Sequence, residues 1–171
     1  ETWSVKKSAA QVLTASNSWL HSQSQKSEHR FDKNKGYVCT LSAMVIKSTT
    51  AHIFHLGDSR IYCLRNGELM QLTDDHRTWV SSEKSYLSRA MGIYPHLDYD
   101  YQSLVIEQGD IFIFATDGVY EHVSSDFMVA AVSDVLIDIN DVAKILVDTA
   151  YKSGSTDNLT AQVVRIDSVP S

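Results

Sequence analysis

The stretch Ile61-Tyr62-Cys63-Leu64-Arg65-Asn66-Gly67-Glu68-Leu69-Met70-Gln71-Leu72 decides the fold class. Two apolar runs flank an Asn-Gly pair, the dipeptide that best accepts the positive φ angles of a two-residue hairpin turn. Strands here are therefore antiparallel. Just upstream, residues 51–56 read as another strand, interrupted at Gly57-Asp58 and continued by 61–64. Before that, residues 37–46 read as a strand, with Lys47-Ser48-Thr49-Thr50 turning the chain. Downstream, 104–106 and 111–115 are apolar strands with Gly109-Asp110 turning between them, and 159–166 is the last strand.

Helices come in separate blocks. Residues 4–25 carry Val5, Ala9, Val12, Leu13, Ser16 and Leu20 at helical spacing. Polar residues 21–36 follow as a surface loop. Ser125 or Asp126 can cap a helix carrying Phe127, Ala130, Ala131 and Val135. Asn140 can cap another, with Val142, Ile145, Leu146 and Ala150, and Gly154 sits where it should stop. Residues 73–98 show no clear period, with one short helix expected over 86–91. Paired strands with segregated helices define an α+β class, an antiparallel β-sandwich flanked by α-helices.

Composition bounds the function. The chain has 171 residues, which predicts a single domain over 1–171. Apolar residues make up 43% and charged residues 21%, which excludes a disordered chain. With 21 acidic against 15 basic residues the net charge is −6, which disfavours nucleic-acid binding and leaves room for a metal held by carboxylates. No apolar run approaches the roughly 20 residues of a membrane span, and no basic-then-apolar leader opens the sequence. Cys39 and Cys63 are too few for a disulfide framework; they read as reduced, half-buried thiols in a cytoplasmic protein. Asn158-Leu159-Thr160 fits a glycosylation sequon, but nothing else suggests secretion.

Three aspartates stand at strand ends: Asp58 after Gly57, Asp117 before Gly118, and Asp157 before Asn158. Carboxylates so placed can converge on one or two divalent cations, which lower the pKa of bound water and clamp phosphoryl oxygens. Alternatively each is a turn residue, because Asp-Gly, Gly-Asp and Asp-Asn are turn dipeptides. Spacing alone leaves both readings open. His52 and His55 lie three apart on a strand, so they face opposite ways and make a poor chelate. His76 follows two aspartates; it is a candidate general acid, or it lines the substrate entrance or caps a loop.

Read in order, Gly57-Asp58-Ser59-Arg60, Leu72-Thr73-Asp74-Asp75-His76, Gly109-Asp110, Ala115-Thr116-Asp117-Gly118-Val119 and Ser155-Thr156-Asp157-Asn158-Leu159-Thr160 resemble the metal-dependent protein serine/threonine phosphatases of type 2C, in their bacterial form. The resemblance runs from about residue 37 to 166, and the helix at 4–25 fits the first helix of that family. The chain also resembles the phosphatase part of bacterial phosphatase–kinase fusions. The resemblance implies hydrolysis of phosphoserine and phosphothreonine by a water that two Mn²⁺ or Mg²⁺ ions activate, without a phosphoenzyme. Asp117 matches a ligand of one metal and Asp157 a ligand of the other. Asp58 matches the ligand of a third, weaker metal. Arg60 is expected to be structural, pinning a carboxylate by a bidentate pair, and Asn158 to orient Asp157, with Gly118 beside them. Residues 73–100 match a variable flap. His76, Trp79 and Arg89 belong to the expected substrate region, and Trp79, Tyr86 and Tyr94 either contact a phosphopeptide or form the small core of the flap itself.

One motif of the family is missing. An Asp-Gly-x-Gly-Gly stretch, whose Asp bridges the two metals, does not occur; the only Asp-Gly is Asp117-Gly118. The sequence is therefore expected to be a fragment that lacks the first strands, with weak metal binding and slow or absent turnover, and with open sheet edges that invite a second chain. The expected partners are phosphorylated proteins, substrates of a Ser/Thr kinase or the kinase itself. Two alternatives stand beside the enzyme: a non-catalytic phosphatase-like binding module, and a regulatory phosphatase acting on a phosphorylated anti-anti-sigma-type protein.

Overall fold

A computed structural model describes residues 4–28, 30–31, 36–81 and 84–170. The part of the expected 21–36 loop at 29 and 32–35 lies outside the described residues. The chain divides into two compact units, each made of two stretches: 1–58 with 75–105, and 59–74 with 106–171.

The first unit opens with helix α1 (Val5–Lys26), shifted by one residue from the expected 4–25. Ser4 caps it by accepting the Lys7 N–H at 3.2 Å. Strands β1 (Leu41–Lys47), β2 (Thr50–Leu56) and β7 (Asp100–Val105) form an antiparallel sheet in the order β1-β2-β7. As the middle strand, β2 buries Ala51, Ile53, Phe54, His55 and Leu56. The unit also holds β5 (Arg77–Ser81) and β6 (Lys84–Leu87), which pair antiparallel. The short helix expected over 86–91 is therefore a strand end followed by bends. Cross-strand pairing supplies the backbone partners that a helix would have supplied locally. Asn17 on α1 is buried; its amide donates to the Tyr94 carbonyl at 3.0 Å, and its Oδ1 accepts the Gly92 N–H at 2.8 Å. This ties the irregular stretch after β6 to α1.

The second unit is a four-stranded antiparallel sheet ordered β4-β3-β8-β9 with three helices. Its strands are β3 (Arg60–Arg65), β4 (Glu68–Gln71), β8 (Ile111–Ala115) and β9 (Ala161–Arg165). Asn66 (φ 52°) and Gly67 (φ 82°) make the expected hairpin turn between β3 and β4. Strand β3 does not continue β2, because Gly57 at φ 116° breaks the extended path and the two strands enter different sheets. Helices α2 (Asp117–Tyr120), α3 (Ser125–Ser133) and α4 (Ile139–Lys152) follow β8. The caps are Ser124 on α3 and Asp138 on α4, each one or two residues before the candidates read from sequence. Their side chains accept the Phe127 and Asn140 N–H groups. Tyr62, Ile113, Val119, Met128, Val142 and Leu146 form the centre of this unit's core.

Candidate metal centre

Asp117 and Asp157 belong to the second unit. β8 ends at Ala115, and Asp117 opens α2. The chain returns after α4 through Gly154, and Asp157 precedes β9. Pairing of β8 with β9 places Ala115 opposite Ala161. Beyond that pair, Thr116 closes the gap. Its N–H donates to the Thr160 carbonyl at 3.1 Å, and its Oγ1 accepts the Thr160 N–H at 3.1 Å.

Gly118 lets the two segments meet. A Cβ built there would stand 2.8 Å from the Asn158 carbonyl oxygen and 3.1 Å from the Asp157 Cβ. Only a residue without a side chain tolerates that approach. Each aspartate then binds the next residue's backbone: Gly118 N–H donates to Asp117 Oδ1 at 2.9 Å, and Asn158 N–H donates to Asp157 Oδ1 at 2.7 Å. Asn158 thus orients Asp157 through its main chain. The result is two carboxylates on adjoining backbone, an oxygen donor set suited to a hard cation. Residues 117 and 157 fit a divalent metal on that ground.

Asp58 stands in the first unit, after β2. Its side chain is 12% exposed, and its Oδ2 accepts a hydrogen bond from Arg77 Nε at 2.6 Å. Arg77 was not among the sequence candidates. Its signal was faint: a basic residue after Asp74-Asp75-His76, in a stretch without period. His76 is buried. Its Nδ1 accepts the Gly57 N–H at 3.0 Å, so its Nε2 carries the proton and donates to Asp100 Oδ2 at 2.9 Å. Both ring nitrogens are engaged, so His76 braces the Gly57 backbone against Asp100. Burial pushes the Asp100 carboxyl up, but hydrogen bonds from His76 and Arg89 outweigh it and hold the group below the usual carboxylate range. Arg89 donates to Asp100 Oδ1 at 2.9 Å.

Arg60 lies over the Tyr120 ring at 3.8 Å and donates to the Tyr62 hydroxyl at 3.2 Å. Arg65 makes a bidentate pair of its own: its Nε and NH2 donate to the two oxygens of buried Asp110 at 2.7 and 2.6 Å. Trp79 is 64% exposed and Tyr86 is 50% exposed, so neither fills a core of the flap. Thr78 pairs with Tyr86, and Trp79 with Ser85, which puts the two aromatics on opposite faces of the hairpin. His52 and His55 separate as expected: His52 Nδ1 meets the Tyr101 hydroxyl, and His55 Nδ1 meets the Ser42 hydroxyl, both at 2.9 Å. Among the described residues, no group of three His, Cys, Asp or Glu side chains gathers as a ligand set.

Comparison with known proteins identifies the family. The family model for protein phosphatase 2C matches residues 1–150. Protein phosphatase PhpP of Streptococcus pneumoniae is 26% identical over 174 residues, covering 92% of this chain and 68% of that protein. The solved structure of PppA, described as a key regulatory component of T6SS in Pseudomonas aeruginosa, is 27% identical with a TM-score of 0.78, over 90% of this chain and 66% of that one. The catalytic domain of the serine/threonine protein phosphatase PstP, solved with 2 manganese ions, is 25% identical with a TM-score of 0.73, over 88% of this chain and 68% of that one. The chain belongs to the protein phosphatase 2C family, the metal-dependent serine/threonine protein phosphatases, and has its α+β fold. It spans about two thirds of the length of these three relatives.

Proposed function

We propose that this chain carries part of the metal-holding machinery of a phosphatase that hydrolyses phosphoserine and phosphothreonine in proteins. The close approach of Gly118, the residue after Asp117, to the Asp157-Asn158 segment supports this reading. These two carboxylates would hold Mn²⁺ or Mg²⁺. When bound, such cations lower the pKa of coordinated water and clamp phosphoryl oxygens. The residues around them supply rigidity. Thr116 locks the β8 end to Thr160, and the Gly118 and Asn158 N–H groups fix the rotation of each carboxylate. A carboxylate held by backbone donors keeps its orientation.

The partner is a phosphoprotein, with a Ser/Thr kinase as the opposing enzyme. The place of action we assign is the cytoplasm, supported by two free thiols. Among the described residues no helix is long and apolar enough to cross a membrane. A second reading, a module that binds phosphorylated partners without turnover, is favoured by the lack of a three-residue ligand group among the described residues.

The test compares wild type with Asp117→Asn. We expect Mn²⁺-dependent hydrolysis of a phosphothreonine peptide, and calorimetric Mn²⁺ affinity, to fall by more than about a hundredfold, since even residues outside a ligand set cost about 10- to 100-fold. Unchanged affinity and unchanged turnover would overturn the metal reading. Metal binding without any turnover would select the binding module.

A further inference from the structure

The carboxylate of the candidate ligand Asp58 already holds a cation of the protein's own. Arg77 Nε donates to Asp58 Oδ2 at 2.6 Å, with the two side chains 14% and 12% exposed. The backbone delivers Arg77 there. The residue before it, His76, makes three bonds that fix its place. Its N–H donates to the Gly57 carbonyl at 2.8 Å, its Nδ1 accepts the Gly57 N–H at 3.0 Å, and its Nε2–H donates to Asp100 at 2.9 Å. Gly57 packs closely on Thr40, for a Cβ at Gly57 would stand 2.4 Å from that side chain. The Gly57-Asp58 turn and the His76-Arg77 pair therefore form one braced unit. A guanidinium so placed carries a permanent charge, since it does not lose its proton in proteins.

A divalent cation at Asp58 would meet two obstacles. It would lie beside a fixed positive charge in a partly dehydrated site, where repulsion is poorly screened. It would also have to take the oxygen that Arg77 occupies. Hard cations want several oxygens, and the described residues gather no third carboxylate or histidine into a ligand group. Residue 58 therefore does not fit a metal as it stands.

We infer that Arg77 fills the cation position at Asp58, so that this chain takes up no third metal there. The inference rests on the phosphatase reading for the meaning of that position. It sets the metal complement of the chain at the Asp117–Asp157 side alone. Arg77 is a positioning residue: it acts on the Asp58 carboxylate and not on substrate.

The experiment is a Mn²⁺ titration followed by the electron paramagnetic resonance signal of the free ion. It uses wild type, Asp58→Asn, Arg77→Gln and the double variant, each checked for folding by circular dichroism. We expect wild type and Asp58→Asn to bind the same number of ions with the same affinity. Arg77→Gln should gain one weak site, or strengthen a weak class by about 10- to 100-fold. The double variant should lose that gain. Loss of a Mn²⁺ site in Asp58→Asn, or no gain in folded Arg77→Gln, would overturn the inference. If Arg77→Gln does not fold, the comparison of wild type with Asp58→Asn decides alone. Failure of the phosphatase reading shows separately, as Mn²⁺ binding that Asp117→Asn leaves unchanged.

Discussion

A methyl group at position 118 would test how finely the two aspartates are set. It would meet the Asn158 carbonyl at 2.8 Å and the Leu159 side chain at 3.0 Å. The first contact is to backbone and cannot swing aside, so the segments at 116–120 and 157–159 must part. Overpacking of this kind costs about 1–3 kcal/mol. Gly118→Ala should therefore lower the melting temperature and weaken Mn²⁺ binding together. A variant with wild-type melting and wild-type affinity would show that the close approach is dispensable. At this scale the sequence was legible where a residue sits inside a local motif. Asp117, Gly118, Asp157 and Asn158 occupy two short runs whose turn chemistry puts them at strand ends. Arg77 was illegible because its partner, Asp58, is brought to it by tertiary pairing and by no spacing along the chain. The aromatic contacts of Arg60 were illegible for a related reason: Tyr62 and Tyr120 come from β3 and α2, and only the folded sheet brings their rings to it.

Among the elements, the join between β3 and β8 carries a charge that bears on acid stability. Arg65 ends β3 and binds both oxygens of Asp110, which also accepts the Glu107 N–H at 2.8 Å. Asp110 is 1% exposed. Burial raises its carboxyl, but the Arg65 hydrogen bonds and the Glu107 N–H outweigh that and hold it below the usual range. The sign follows from linkage. A depressed carboxyl adds stability above its unfolded value, about pH 3.9, and loses it as pH falls through the lower folded value. Asp110→Asn should cost about 1.5–3 kcal/mol near neutrality and flatten the acid limb of a plot of urea midpoint against pH. An acid limb of wild-type steepness in the variant would remove Asp110 from the account. The elements themselves were uneven to read. Helices α1, α3 and α4 showed their period, and the Asn66-Gly67 hairpin showed its turn. The β5–β6 hairpin did not, because its strands are short and its aromatics Trp79 and Tyr86 are largely exposed.

Over the molecule as a whole, the two thiols report on the two units separately. Cys39 is exposed in the first, while Cys63 is fully buried on β3 in the second. Burial, with Asp110 nearby, pushes the Cys63 thiol up to about 11. Burial raises the Cys39 thiol too, but its exposure leaves it open to reagent, so a disulfide reagent at pH 8 should consume one thiol per native chain first and the second only after unfolding. Two fast thiols would mean that the β3 core opens readily. What the sequence could not convey at this scale is the partition of strands: β2 and β3 are neighbours along the chain yet join different sheets, and a positive φ at Gly57 is all that separates them. That interleaving also governs how the protein comes into being. Thr50 must find Val105, and Arg60 must find Ala115, before either sheet is closed. Contacts so distant along the chain are slow to form, since the entropy of closing the intervening loops is spent before the pairing rewards it. During synthesis, β2 and β3 leave the ribosome with one edge each unpaired and wait for β7 and β8 to follow. In that interval each exposes a row of free amides and carbonyls beside apolar side chains, so a newly made chain is at greatest risk of joining a neighbour just before it completes its own sheets.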